Sequence, residues 1–143
     1  MAILSIAAGQ ATSKSSPQQT GIPKFTVSWG GFPDGNINND QFKKVVDSAI
    51  MVKDEKGNKY MVTRFRINYK FINTYKDSET EQVKSVPDLR VSDFYDTAYL
   101  SEVWKESIRD NAKKGDEVII NNIIVRLKNG KKMMVPEWKV KLF

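Results

Sequence analysis

Along "KFTVSW", residues 24–29, apolar Phe25, Val27 and Trp29 alternate with Lys24, Thr26 and Ser28. A period of two puts one set on each face of a half-buried strand. The pattern breaks over "GGFPDGN" and resumes at helical spacing in "INNDQFKKVVDSA", where Phe42, Val45, Val46 and Ala49 share a face. Asn38 is the expected N-cap, with Gln41 three residues on as in a capping box and Ile37 and Phe42 as the hydrophobic staple. Asp40 in the first turn suits the helix dipole.

"AIMVKDEKGNKYMVTRFRINYKFI" predicts a hairpin that turns at Lys56-Gly57-Asn58. In its second strand Met61, Thr63, Phe65, Ile67, Tyr69 and Phe71 fall on one face by parity, the expected core face. Tyr60, Val62, Arg64, Arg66, Asn68 and Lys70 fall on the other, a wet and basic face. Residues 73–93 are polar with scattered valines. They predict a loop with a weak edge strand near 80–86 and a break at Pro87. Leu100, Val103, Trp104, Ser107 and Ile108 predict a second helix, capped by Thr97 and stopped by Gly115. "DEVIINNIIVRL" predicts a central strand covered on both faces, followed by a turn at Asn129-Gly130. In the last segment Trp138, Val140 and Leu142 alternate with Lys139, Lys141 and Phe143, and Pro136 demotes the preceding stretch to an edge or a bulge. The set predicts a mainly β fold, a two-layer sandwich with two short helical insertions.

The corner at residues 27–42 raises the question of a phosphate cradle. No Gly-Lys-Ser/Thr follows it, and Gly30, Gly31 and Gly35 are spaced wrongly for a dinucleotide fingerprint. The residues predict a tight structural corner in which Gly35 and Asn36 take positive φ. Composition narrows the chemistry further. Among 143 residues there is neither His nor Cys. Disulfides, thiolate metal sites and His-based catalysis are therefore excluded, although a chain without Cys can still be exported. Asp77, Glu79 and Glu81 have the spacing of calcium ligands but lack the glycine and closing glutamate of an EF-hand. Glu102 and Glu106 read as an exposed helix face. No nucleophile stands with a base, so no catalytic residue, cofactor or metal is expected.

The net charge is +6. It suits solubility, or an anionic partner such as nucleic acid, a membrane surface or an acidic protein. Arg64, Arg66 and Lys70 would form a basic strand face, joined by Lys139 and Lys141 if their strands are neighbours. Phe65, Tyr69 and Phe71 point the other way by parity, so bases could not stack beside these cations, and nucleic acid fits poorly. No apolar run approaches the roughly 20 residues of a membrane-spanning helix. Residues 1–22 read as a signal-like segment and flexible linker, with "AILSIAA" as the end of an apolar region and cleavage after Ala11. On that reading the start lies upstream of Met1. If residues 1–11 are not such a remnant, the expected location is cytoplasmic.

Several landmarks recur in one known family. They are Pro23, "VSW", Gly30-Gly31, and Gly35-Asn36 before Ile37, Asn38 and a helix. "MVTRFRINY" follows, then Lys114-Gly115-Asp116, "EVIINNIIV", Asn129-Gly130 and a closing "VPEWKVKL". In this order they resemble the C-terminal domain of the GldM/PorM family, the gliding-motility shaft proteins of type IX secretion. The resemblance spans residues 23–143 and departs at Asn36, where the family has a second glycine. It implies one immunoglobulin-like, periplasmic or cell-envelope domain, non-enzymatic, docking on protein partners in an envelope assembly. The family's membrane helix and preceding shaft domains have no counterpart here. The expected forms are a free-standing relative, a fragment or an appended module, with the partner and oligomeric state open. The alternative expectation is a small basic polyanion- or nucleic-acid-binding protein.

Overall fold

The computed structural model describes residues 24–143. The signal-like segment, the linker and Pro23 lie outside the described residues. In chain order the elements are β1 (Phe25–Trp29), β2 (Gly35–Ile37), α1 (Asn39–Val45), β3 (Ile50–Asp54), β4 (Lys59–Lys76), β5 (Val83–Tyr95), α2 (Glu102–Asn111), β6 (Glu117–Arg126), β7 (Lys132–Val135) and β8 (Trp138–Leu142). The fold is mainly β. Eight strands form one hydrogen-bonded sheet with a path β1-β3-β4-β6-β8-β2, while β5 adds to β4 and β7 to β6.

β4 organises the sheet. At 18 residues it extends about 60 Å at strand rise. Its first two residues pair with β3, and residues 61–70 pair with β6. Residues 64–76 pair with β5 on the opposite edge. Along the far edge of β6, β8 and β7 follow end to end, divided at Pro136. The sheet curls far enough that β7 comes within contact distance of β1. Both helices contribute to the single core inside the curl, through Phe42, Val45, Trp104 and Ile108.

Two opposed bulges break the β4–β6 ladder. Thr63 is the extra residue on β4, between the pairs Val62–Val125 and Arg64–Ile124. Asn122, at φ 49°, is the extra residue on β6. A bulge shifts side-chain parity by one. Met61 therefore faces solvent and Val62 is buried, the reverse of the alternation expected from sequence. Beyond Thr63 the expected parity holds, and Phe65, Ile67 and Tyr69 are buried. β6 is central, as expected, but only one face is fully covered: Val118, Ile120, Ile123 and Val125 are buried while Ile119 and Ile124 are half-buried.

Residues 73–93 are not a loop. They complete a long hairpin, with β4 and β5 paired from Arg64–Tyr95 to Lys76–Val83. Pro87 sits within the strand instead of breaking it, opposite Ile72. β5 is an edge strand, and alternate amides of an edge strand point away from the ladder. The amide of Leu89 points that way, since it donates to the Asp88 carboxylate at 2.8 Å. Pro87 has the same parity, so its missing N–H costs no ladder bond. β6 pairs with β4 only as far as Lys70. From Phe71 to Asp88 the hairpin therefore projects as a two-stranded arm.

The glycine corner holds more than a turn. Gly30 and Gly31 take φ of 58° and 86°, and the Trp29 and Phe32 backbones bond reciprocally at 3.0 Å. Gly35 has φ 133°, whereas Asn36 is not among the positive-φ residues, contrary to expectation. Gly35–Ile37 instead form a short strand parallel to β8. Asn38 caps α1 through bonds from the amides of Asp40 and Gln41. The cap of α2 is Ser101, not Thr97, whose hydroxyl accepts from Tyr99 N in a local turn. The helix ends at Asn111, and Gly115 follows at φ 95° as the chain turns to bond Leu142 O.

At the β3–β4 turn, Asp54 accepts from Lys56 N, Asn58 N, Asn58 Nδ2 and Tyr60 Oη at 2.8–3.0 Å. Led by the Asn58 side chain, these bonds hold its carboxyl at about 2 against an ordinary 3.8. A carboxyl depressed in the folded state contributes stability above its ordinary value and loses it as pH falls toward the folded one. Asp54→Asn is thus expected to shallow the loss of melting temperature between pH 3.8 and about 2. Parallel acid limbs for the two proteins would contradict the role given to Asp54.

A Cβ added at Gly30 would lie 2.9 Å from Val45 Cγ2, while at Gly31 and Gly35 it would meet open space. Gly35→Val is expected to cost about 1 kcal/mol or more from backbone strain alone. Gly30→Ala is expected to cost about 2 kcal/mol, because overpacking adds to left-handed strain. Denaturant unfolding measures both. If Gly30→Ala is no worse than Gly31→Ala, close approach of the corner to α1 is not what selects glycine there.

Candidate functional site: the outer face of the sheet

Directly opposed residues of an antiparallel pair share a face. The even-numbered residues of β4 beyond the bulge therefore look outward with the odd-numbered residues of β5. The rows are Arg64–Tyr95, Arg66–Asp93, Asn68–Val91, Lys70–Leu89 and Ile72–Pro87. β6 continues four of them with Ile124, Asn121, Ile119 and Glu117. β8 continues two with Lys139 beside Ile119 and Lys141 beside Glu117.

All five cations singled out from sequence, Arg64, Arg66, Lys70, Lys139 and Lys141, thus lie on one face. Their strands are not neighbours, however. β6 separates β4 from β8, which puts the two groups roughly 10 Å apart. Acidic side chains also interrupt them. Arg66 holds Asp93 with two bonds, Nε to Oδ1 at 2.9 Å and Nη2 to Oδ2 at 3.2 Å. Arg64 Nη2 reaches the same carboxylate at 3.7 Å, and Lys139 pairs with Glu117 at 3.9 Å. The Arg66 bonds hold the Asp93 carboxyl below its usual range, and the same contact raises the Arg66 guanidinium. The face is therefore one of mixed charge, not a cationic stripe.

Its other component was hidden in sequence. Tyr95 is 62% exposed, with the Arg64 guanidinium 5.0 Å from its ring centroid. Val83, Leu89, Val91 and Ile72 are exposed on the same side of the hairpin. Reading 73–93 as a loop removed the register that aligns these side chains with Arg64 and Arg66. The alternation of Val83, Pro87, Leu89 and Val91 was the available signal, and Pro87 masked it. Phe65 and Tyr69 are buried on the inner face as expected.

The remaining candidates are occupied by structural work. Asp77 closes the tip of the arm, accepting from Glu79 N and Thr80 N and pairing with Lys84 at 2.9 Å. Glu102 pairs with Lys105 along α2. Trp29 N and Phe32 N, which flank Gly30 and Gly31, are spent within the corner. Among the described residues, no helix is long and apolar enough to cross a membrane.

Of the five cations Arg64, Arg66 and Lys139 are engaged by carboxylates, and an engaged cation releases fewer counterions on binding a polyanion. Single-stranded DNA at physiological salt is therefore expected to bind weakly, and the combined changes Arg64→Gln, Arg66→Gln and Lys70→Gln should alter that little. Submicromolar binding abolished by the triple change would restore a nucleic-acid role for the face. No protein-family model matches the chain, and no curated protein matches it.

Proposed function

We propose that the chain is a non-enzymatic protein-interaction domain of the cell envelope that engages its partner through the outer face of the β4–β5 hairpin. The observation that carries this reading is the row of exposed Leu89, Val91 and Tyr95 beside Arg64, Arg66 and Asp93. Ile72, Pro87, Leu89 and Val91 adjoin one another and Tyr95 lies beyond Asp93, and exposed apolar side chains grouped within a polar rim mark contact surfaces. Tyr and Arg are also enriched where proteins meet. The envelope location and the link to type IX secretion and gliding machinery rest on the GldM/PorM resemblance. On the same footing, the β1–β3 leaf and the larger β5-β4-β6-β8-β2 leaf correspond to the two sheets of an immunoglobulin-like sandwich.

The mode of contact is through side chains and not by strand addition. β-augmentation needs a run of free backbone donors and acceptors. On the β5 edge Pro87 has no N–H, and the Leu89 amide is taken by Asp88. The middle of that edge is closed to an incoming strand.

Fractionation of native cells, followed by cross-linking and mass spectrometry, tests both parts. The chain is expected in the envelope fraction, cross-linked to a component of an envelope assembly. Leu89→Glu with Val91→Glu should abolish the cross-link while leaving the melting temperature within a few degrees, since both side chains are already exposed. A cytoplasmic chain would overturn the location. An unchanged cross-link to the same component in the double variant would overturn the face.

A further inference from the structure

The inner side of the same hairpin carries a separate feature. α2 lies across it, with Trp104 Nε1 donating to Ser92 Oγ at 2.9 Å and Arg90 Nη1 donating to Ser107 Oγ at 2.6 Å. Between α2 and the root of the arm lies a cleft of about 350 Å³. Phe71, Trp104 and Ile108 supply its apolar lining, and Arg90 and Lys113 supply its cations.

Both cations are held in place. The Arg90 guanidinium stacks 5.0 Å over the Trp104 ring, and Lys113 Nζ donates to Ile72 O at 2.9 Å. Neither is saturated. A guanidinium has five N–H donors and an ammonium three, and each group spends one in the bonds described. The acid lining the cleft is Asp116, only 2% exposed, and it is already engaged. Its Oδ2 accepts from Tyr69 Oη at 2.6 Å and from Lys113 N at 3.1 Å. Burial, and then that bond, push the Tyr69 phenol well above its ordinary range, so it remains a neutral donor to Asp116. The cleft thus sets a small apolar patch among the polar side chains of Asn73, Thr74, Ser107 and Asn111, with two fixed, partly unsatisfied cations that favour an anion.

We propose that this cleft binds a carboxylate carrying a short apolar tail, such as the C-terminal residue of a peptide or a short fatty acid. The carboxylate meets Arg90 and Lys113, and the tail lies against Phe71, Trp104 and Ile108. The inference does not depend on the outer face, which lies on the other side of the sheet.

Amide NMR titration of the chain tests it with four probes: N-acetyl-leucine, hexanoate, N-acetyl-leucinamide and acetate. N-acetyl-leucine or hexanoate is expected to shift the Trp104 indole N–H and the Ser107 and Lys113 amides, with roughly millimolar affinity. The stronger of the two assigns the source as peptide or lipid. N-acetyl-leucinamide, lacking the charge, and acetate, lacking the tail, should each bind at least about tenfold more weakly. Arg90→Gln should lose about tenfold or more in affinity. If Arg90→Gln disturbs the packing of α2, Lys113→Gln provides the same comparison from the exposed rim. Absence of shifts with both carboxylates, equal binding of the amide or of acetate, or full binding by both variants would each overturn the proposal.

Discussion

The edge-to-face contact between Trp29 and Trp138, with ring centroids 5.5 Å apart, joins the first described strand to the last. Both indoles are buried, and a buried N–H without a partner costs on the order of 1–3 kcal/mol in proteins. Each finds its partner on a connecting segment. Trp138 Nε1 donates to Phe32 O at 2.9 Å, and Trp29 Nε1 donates to Ser48 O at 2.8 Å. The first bond fixes the glycine corner and the second fixes the exit from α1. Phe42 of α1 packs edge-on against Trp29 from within the same cluster. Two aromatic side chains therefore hold together β1, β8, the corner and the first helix, and the curl of the sheet is the shape in which they can meet.

The curl places constraints on β4, which has to serve both the β1–β3 leaf and the outer face. A regular strand of its length would carry one alternation from end to end. The bulge at Thr63 lets Val62 and Phe65 both face inward. It is held by Thr63 Oγ1 donating to Ile124 O and by Asp96 N donating to Thr63 O. Asn122 compensates on β6, so the ladder returns to register and the rows of the outer face line up across β5, β4 and β6. The alignment of Arg64, Arg66 and Asp93 with Tyr95 depends on that restored register.

Most of the local structure was legible because it is driven by short-range patterning. The first strand, the Asn38 cap, the Asn129-Gly130 turn and the alternation of Trp138, Val140 and Leu142 follow from neighbours within a few positions. What was not legible depends on distant partners. Nothing near Thr63 announces that it will be the extra residue, because the bulge is defined by pairing with Val125 and Ile124. Thr97 and Ser101 are both competent caps, and Leu100, buried just outside the helix, favours the later start. The charged face was half legible: parity grouped the cations, but the engagement of Arg64, Arg66 and Lys139 by Asp93 and Glu117 required the strand order. Pro87 misled for a physical reason, since proline is excluded where its N–H would have to bond in the ladder and tolerated where the amide faces outward, a distinction that the sequence does not carry.

The arm shows how this dependence on context works in the other direction. A two-stranded hairpin by itself is marginal in water, and beyond Lys70 this one has no third strand. Its persistence rests on the two ends. At the tip, Asp77 organises the turn and pairs with Lys84, while Glu81 takes φ 59°. At the root, Lys113 ties Ile72 O to the segment after α2. Between these anchors the side chains are largely exposed, so little core packing opposes a substitution there. Exposed apolar residues in such a stretch add little to the core, and the closed middle of the β5 edge limits what they can recruit by backbone pairing. What they retain is a side-chain surface whose hydrophobicity is separable from stability, the property that makes a role for it in recognition open to mutational test.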